Sequence, residues 1–230
     1  MKNINIFCFG FGQVAKSFIK KINTKNINIT LAVTSRENTC KKVFDGIEYE
    51  SFQFSQESFD KNLIQSLESS NYILVSIAPI NGEDIVIKNF QNFLKEKKVQ
   101  WLTYLSATSV YGDHKGEWVN EKSKTNPTSL TGKQRLKAEK SWIELTKNQN
   151  LPIQIFRLSG IYSNENNILK RIKSGDAKII KKENQFFSRI HIEDIAEVLL
   201  RSLERFKDRE IYNISDDKPA SSEEVILYGS

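Results

Sequence analysis

The chain has 230 residues, of which 39% are hydrophobic and 27% are charged, and it contains four prolines. This composition is typical of a globular protein and excludes a disordered or collagen-like chain. Its net charge of +6 favours anionic ligands but is too small to argue for nucleic-acid binding. With two cysteines and no long apolar run, a disulfide scaffold and a membrane span are excluded. We expect a cytoplasmic protein without nucleic-acid or membrane partners.

Apolar runs of strand length alternate along the chain with segments of helical periodicity. The predicted strands are Asn5–Phe9, Ile27–Val33, Tyr72–Ile77, Val99–Leu105 and Ile153–Leu158. The predicted helices are Gln13–Ile22, Ile85–Lys95, about Lys133–Lys147 and Ile195–Leu203. This alternation predicts an α/β fold in which a doubly wound parallel sheet carries helices on both faces.

The first predicted strand is followed by the G-x-G-x-x-A pattern Gly10-Phe11-Gly12-Gln13-Val14-Ala15, which opens the first predicted helix. In a Rossmann-type fold the first glycine allows a tight turn, and the second lets the backbone approach a pyrophosphate at the helix N-terminus. We therefore predict that Gly10, Gly12, Gln13 and Val14 bind a dinucleotide. The competing interpretation is an ordinary turn from strand to helix.

The second predicted strand leads into Val33-Thr34-Ser35-Arg36, where this kind of fold contacts the adenosine ribose. An acidic residue there would bind a 2′-hydroxyl, whereas Ser35 and Arg36 offer a hydroxyl and a planar guanidinium to a 2′-phosphate. The sequence therefore predicts NADP as the cofactor, with NAD as the alternative. The competing interpretation is that Arg36 is a solvated loop residue, partly neutralised by Glu37.

Several later segments carry motifs in a recognisable order. They are Ser76-Ile77-Ala78-Pro79, Tyr104–Asp113, Pro127-Thr128-Ser129, Arg157–Tyr162, Ser188–Ala196 and Tyr212–Asp216. In the first of these, a proline ends a strand and small residues would let a dinucleotide cross the sheet edge, so we predict cofactor contacts at Ser76, Ala78 and Pro79. With the glycine turn, these segments resemble the extended branch of the short-chain dehydrogenase/reductase superfamily, which includes nucleoside-diphosphate-sugar epimerases and dehydratases.

The resemblance also implies a catalytic relay that this sequence replaces. In the superfamily a tyrosine transfers the substrate proton, a lysine four residues later lowers its pKa, and a Ser or Thr orients the substrate. Alignment on the matching motifs puts Thr131, Arg135 and Ala107 at these three positions. Threonine is no phenolate-like base and alanine has no donor, so the usual relay is absent. Arg135 would still bind a ribose or a phosphate.

Other hydroxyl groups near the same sheet edge offer substitute chemistry. Ser106 follows a predicted strand at the edge where open α/β sheets bind ligands, and Tyr111 lies on the adjoining loop. We predict Ser106, Tyr111 and Thr131 as catalytic candidates, and Ser106 and Arg135 as further cofactor contacts. The competing interpretation is that these hydroxyls satisfy backbone groups of the loop. His and Cys residues lack ligand spacing, so no metal site is predicted.

The domain organisation follows from a polar segment at Ser163–Asn167. We predict a dinucleotide-binding domain over 1–160 and a small substrate-side lobe over 161–230, either naturally short or incomplete, with a returning strand near 211–214. The resemblance implies a dinucleotide-dependent oxidoreductase, epimerase or dehydratase for a sugar nucleotide or another hydroxyl or carbonyl substrate, and Arg36 favours NADP as its cofactor. By analogy with family members, we expect a homodimer. The alternative, favoured by the replaced relay, is a catalytically inactive dinucleotide sensor or scaffold.

Overall fold

The computed structural model describes residues 3–147, 151–179 and 185–229, which form ten strands and seven α-helices. The first half contains β1 (Ile4–Phe9), α1 (Gln13–Asn23), β2 (Ile29–Ser35), β3 (Cys40–Phe44), β4 (Ile47–Gln53), α2 (Leu63–Ser69), β5 (Tyr72–Val75) and α3 (Ile85–Glu96). The second half contains β6 (Trp101–Ala107), α4 (Leu130–Lys147), β7 (Gln154–Leu158), β8 (Gly160–Tyr162), α5 (Ile168–Lys173), β9 (Arg189–His191), α6 (Ile192–Glu204), β10 (Glu210–Ile214) and α7 (Ser222–Gly229).

Eight of these strands form one sheet in the order β10-β7-β6-β5-β1-β2-β4-β3. Neighbouring strands are parallel except β3, which pairs antiparallel with β4 at the sheet edge. The predicted Rossmann-type, doubly wound α/β fold is therefore confirmed. The chain leaves β1 first towards β2 and later towards β5, so the order of the strands reverses beside β1. In open α/β sheets such a reversal opens a crevice for ligands at the carboxyl ends of the strands.

The core consists of two apolar layers, one on each face of the sheet. Side chains of β1 alternate between them: Phe7 and Phe9 belong to the layer under α2, α3 and α4, whereas Ile6 and Cys8 belong to the layer under α1 and α6. All four side chains are completely buried. Because strands covered on both faces need apolar residues at every position, they read as continuous apolar runs in the sequence.

In the first half of the chain, the sequence analysis missed three elements, β3, β4 and α2. In β3 the segment Cys40–Phe44 contains two lysines and is exposed or half-exposed along its length, as befits a strand at a sheet edge. In β4 polar and apolar residues are mixed, and α2 has only seven residues. Short, partly exposed elements such as these lack the long apolar periodicity on which the predictions rest.

Residues after 160 divide between the main sheet and a smaller group of elements. In the main sheet, β10 pairs with β7. On one face of this sheet, α6 packs on α1. The two-stranded sheet of β8 and β9 and the packed pair of α5 and α7 lie outside it. The predicted division of the chain at residue 160 stays a prediction. Among the helices that the structure describes, none has both the length and the apolar character of a membrane span.

Candidate functional site

The glycine turn after β1 is fixed by hydroxyl groups from two neighbouring strands. The backbone N–H of Gly10 donates to Thr34 Oγ1 at 2.8 Å, and Ser76 Oγ donates to the carbonyl oxygens of Phe9 and Gly10 at 3.1 and 3.0 Å. Gly10 has φ +87°, and a Cβ on it would lie 2.9 Å from Ser76 Oγ. Both the backbone conformation and the close packing therefore require glycine here.

The second glycine, Gly12, is the N-cap of α1 and has a different environment. Its φ of −80° and ψ of −171° are accessible to any residue, and a Cβ on it would have no atom within 4 Å. No side chain caps this helix end, and no acidic residue lies in its first turn. The first amide groups of α1, at Gln13, Val14 and Ala15, have no partner within the helix and carry its positive dipole end.

A cleft of about 300 Å³ opens beside this turn along the carboxyl ends of β1, β5, β6 and β7. It is lined by Gly10, Gly12, Gln13, Val14, Ala15, Ser76, Leu105, Ser106, Ala107, Arg135, Leu158, Ser159 and Ile161. Among these lining residues, all of which the structure describes, only Arg135 has an ionisable side chain. A guanidinium keeps its proton in proteins, so the lining supplies a fixed positive charge but no titrating acid or base.

Arg135 is held in place by the end of β6. Its Nη1 donates to the carbonyl oxygen of Leu105 at 2.8 Å and lies 3.4 Å from the hydroxyl of Tyr104. Tyr104 is fully buried, and this burial raises the pKa of its phenol, which therefore stays protonated at neutral pH. The guanidinium, the single charged group of the cleft lining, is thus bonded to the residue that precedes Ser106.

Two serine hydroxyls in the cleft wall have no hydrogen-bond partner among the described residues. Ser106 and Ser159 are 3% and 5% exposed, and the Oγ atom of each is buried and unpaired. Ser106 was predicted from the sequence, whereas Ser159 was missed. The signal that could have found Ser159 is its place directly after β7, at the same sheet edge as Ser106.

Tyr111, a predicted catalytic residue, lies outside the cleft lining in a buried network. Its hydroxyl donates to Asn213 Oδ1 at 2.7 Å and accepts from Arg157 Nη1 at 2.8 Å. The guanidinium of Arg157 also lies 4.9 Å from the centroid of the Tyr111 ring. The hydroxyl therefore both donates to and accepts from protein groups. Tyr111 joins the loop after β6 to the strands β7 and β10, which is an architectural position.

Thr131, the other catalytic candidate, lies in the exposed first turn of α4. Its Oγ1 is 3.4 Å from Ser129 Oγ, and it lies one helical turn before Arg135 on the same face. It does not belong to the cleft lining. The structure thus brings Ser106 and Arg135 to the cleft and leaves Thr131 at its margin.

The residues predicted to contact the adenosine half lie at the end of β2. Ser35 Oγ accepts from Ser51 Oγ at 3.2 Å and from the backbone N–H of Glu37 at 3.3 Å. Arg36 is exposed and makes no hydrogen bond or ion pair with the described residues. Glu37 pairs with Lys42 rather than with Arg36, and its hydrogen bond to Lys42 lowers the pKa of the Glu37 carboxyl. Arg36 is therefore not neutralised by its neighbour.

The remaining predicted cofactor contacts follow β5. Ser76 lines the cleft, whereas Ala78 is exposed and Pro79 half-buried, and neither belongs to the lining. Within the described ranges, no three His, Cys, Asp or Glu side chains are grouped as metal ligands would be.

A model of the NAD dependent epimerase/dehydratase family matches residues 87–215, which is more than half of the chain. The chain belongs to this family. The resemblance identified in the sequence is thereby confirmed. The family match includes the carboxyl end of β6, α4 and β7, and so contains Ser106, Arg135 and Ser159.

Solved structures similar to this family member extend over nearly the whole chain. A functionally unknown conserved protein from Silicibacter pomeroyi DSS is 32% identical, with a TM-score of 0.82 over 97% of this chain and 76% of that chain. UDP-glucuronic acid 4-epimerase from Bacillus cereus, in complex with NAD, is 18% identical, with a TM-score of 0.79 over 98% and 83% of the two chains. UDP-N-acetylglucosamine 4-epimerase from Bacillus cereus is 20% identical, with a TM-score of 0.74 over 97% and 82%. Among curated proteins, nothing matches.

Proposed function

We propose that this family member is an NAD(P)-dependent enzyme of the epimerase, dehydratase or reductase type, acting on a sugar nucleotide or another hydroxyl or carbonyl substrate. The observation that carries the proposal is the open space at Gly12. Neither the backbone angles of Gly12 nor any neighbouring protein atom requires glycine there. A ligand that approaches the backbone closely does require it, and a pyrophosphate on the bare amide groups of α1 is such a ligand.

The order of the strands predicts the direction in which a bound dinucleotide extends across the sheet edge. With the pyrophosphate at Gly12, the adenosine half extends towards β2 and Arg36, and the nicotinamide half extends towards β5, β6 and β7. We propose NADP as the preferred cofactor because Arg36 is exposed and has no partner within the described part of the chain. A guanidinium in this position can form a bidentate pair with a 2′-phosphate.

When bound, a nicotinamide cofactor supplies a hydride acceptor or donor. Ser106, whose hydroxyl at the end of β6 has no partner among the described residues, orients the substrate oxygen by donating its single O–H, which leaves its lone pairs free to accept from a second ligand group. Arg135, fixed by Leu105, stabilises negative charge that develops on this oxygen but does not transfer a proton. No side chain of the cleft lining titrates near neutral pH. The proton of the substrate hydroxyl therefore passes to solvent when the hydroxyl is oxidised, and comes from solvent when the carbonyl is reduced. Tyr111 has an architectural role, and Thr131 stands at the cleft margin.

The proposed substrate class rests on the positive charge of the protein and on the names of two similar solved structures. Two similar solved structures are named as epimerases of UDP-sugars, and sugar nucleotides are anionic. The net charge of +6 and the fixed charge of Arg135 suit such a substrate. Ile161 of β8 lines the cleft, so the lobe predicted over 161–230 would form one side of the substrate pocket. We propose the enzyme over the inactive sensor because the cleft retains polar and charged groups beside the nicotinamide position.

The test is calorimetric titration of the wild type and of two variants with NADP⁺ and NAD⁺. Gly12→Ala should weaken the binding of both nucleotides by about tenfold or more. Arg36→Ala should weaken NADP⁺ binding and leave NAD⁺ binding unchanged, whereas Lys25→Ala, an exposed control, should affect neither. Failure of the wild type to bind either nucleotide would refute cofactor binding, and an equal loss for both nucleotides in Arg36→Ala would refute the NADP preference.

Catalysis is tested by incubating the enzyme with a panel of UDP-sugars and simple carbonyl compounds and following NADPH absorbance and product epimers. Turnover should fall in Ser106→Ala and Arg135→Met and persist in Tyr111→Phe. Cofactor binding without any turnover would favour the sensor.

A further inference from the structure

We propose that Ser159 is a specificity-determining residue, which binds the uncharged polar end of the nicotinamide half of the cofactor together with Ser106. This inference rests on the proposed function, because it assumes that a nicotinamide dinucleotide occupies the cleft. It gives a role to a residue that lies within the Arg157–Tyr162 motif but was not among the predicted site residues.

The first observation is that the two hydroxyls are buried without partners. Buried side-chain oxygens are nearly always hydrogen-bonded, since an unpaired polar group inside a protein destabilises the fold. Among the described residues, three buried side-chain atoms lack a partner, and two of them are Ser106 Oγ and Ser159 Oγ. Both serines line the same cleft. The coincidence indicates that a ligand in the cleft supplies the missing hydrogen bonds.

The second observation is that both serines are held by the sheet. Ser106 belongs to β6 and lies in register with Arg157 of β7, two residues before Ser159. The backbone N–H of Ser159 donates to the carbonyl oxygen of Ile214 at 3.0 Å, so its position is tied to the neighbouring β10. A ligand group therefore meets two hydroxyls presented by rigid neighbouring strands, an arrangement suited to selective binding.

The third observation is the place of the pair in the strand order. Arg36 follows β2 on one side of β1, whereas β6 and β7 lie on the other side, beyond β5. A dinucleotide centred on Gly12 thus extends its nicotinamide half towards the two serines. Each hydroxyl can both donate and accept a hydrogen bond, and a carboxamide offers an N–H₂ and a carbonyl oxygen to match.

The experiment compares complete dinucleotides with analogues that lack nicotinamide. Wild type and Ser159→Ala are titrated with NADP⁺ and 2′-phospho-ADP-ribose, and in parallel with NAD⁺ and ADP-ribose. In the variant, the affinity for the dinucleotides should fall about tenfold, and the affinity for the truncated analogues should change less than about twofold. An unchanged dinucleotide affinity, or an equal loss for the truncated analogues, would overturn the inference.

A second measurement excludes a purely structural effect. Because Ser159 Oγ has no partner in the ranges that the structure describes, Ser159→Ala should leave the free energy of unfolding of the apo protein unchanged or raise it. The matched control is Ser202→Ala, because Ser202 is also buried, but its hydroxyl donates to the Leu199 carbonyl and accepts from Trp101 Nε1. The control should destabilise the apo protein without changing nucleotide affinity. A destabilisation of Ser159→Ala as large as that of the control would refute the inference.

The two proposals fail in different ways. If the wild type binds no dinucleotide, the proposed function fails. If it binds dinucleotides and Ser159→Ala binds them equally well, the proposed function stands and the role of Ser159 fails.

Discussion

Arg157 and Glu139 form an ion pair inside the protein, with Arg157 Nη2 2.8 Å from Glu139 Oε2. Their side chains are 5% and 1% exposed, and Arg157 Nε also donates to both carboxylate oxygens of Glu139. Glu139 belongs to α4, the helix that carries Arg135, and Arg157 belongs to β7. The pair therefore fixes α4 to the sheet close to the edge at which the cleft opens.

Removing the negative partner of this pair should be strongly destabilising. Glu139→Gln leaves the Arg157 charge buried without compensation, so we expect the free energy of unfolding to fall by about 3–5 kcal/mol in urea denaturation. The control is Glu144→Gln, which removes an exposed pair with Lys147 on the same helix and should cost about 1 kcal/mol or less. Similar losses in the two variants would contradict the burial of the pair.

The two glycines of the turn should respond differently to the same substitution. Gly10→Ala places a side chain at φ +87° and beside Ser76 Oγ, so it should lower the free energy of unfolding by at least about 1 kcal/mol. Gly12→Ala meets no protein atom and should leave stability nearly unchanged. Urea denaturation of both apo variants is the measurement. Equal destabilisation would show that Gly12 is also required by the protein itself.

We expect the free energy of unfolding to depend on pH through Asp84, whose carboxylate caps α3. Burial raises the pKa of its carboxyl above the ordinary value of 3.8, against hydrogen bonds from Ile87 N–H, Trp142 Nε1 and Val86 N–H. A folded-state pKa above the unfolded value means that the folded protein binds the proton more tightly. The contribution of protonated Asp84 to the free energy of unfolding is therefore fully present below about pH 4, and it is lost as the pH rises through the raised pKa.

The measurement compares wild type with Asp84→Asn in urea denaturation at several pH values between about 4 and 7. The free energy of unfolding of the wild type should decrease relative to that of the variant as the pH increases, because the other carboxyls cancel in the difference. A difference that increases with pH would mean that the hydrogen bonds outweigh burial and lower the pKa.

The two cysteines should differ in reactivity. Cys8 in β1 is completely buried, and this burial raises the pKa of its thiol, whereas Cys40 is exposed in the edge strand β3. Since the thiolate is the reactive form, the native protein should react with about one equivalent of a thiol reagent, and the second thiol should react on unfolding. Cys40→Ser should abolish the first reaction. Two fast-reacting thiols in the native wild type would be inconsistent with the position of β1.

Much of the fold could be predicted from local patterns. Strands such as β1 are buried on both faces, so their apolar runs are continuous in the sequence, and a glycine pattern between β1 and α1 marks the turn. The edge strand β3 could not be predicted in this way, because none of its residues is buried and the adjacent Lys41 and Lys42 place a charged side chain on each of its faces. The start of α7 carries another local signal, a capping box: Ser221 N–H donates to Glu224 Oε2, and Glu224 N–H donates to Ser221 Oγ.

The sequence by itself determined the family resemblance, the Rossmann-type layering and the set of hydroxyl and charged residues near one sheet edge. Only the tertiary structure decided which of these side chains have protein partners. The hydroxyl of Tyr111 donates to Asn213, which is 102 residues away in the chain. The hydroxyls of Ser106 and Ser159, in contrast, have no hydrogen-bond partner among the residues that the structure describes. The physical reason is that glycine turns and apolar periodicity are local properties of the backbone. Hydrogen-bond partners, in contrast, come from elements that meet only when the chain folds.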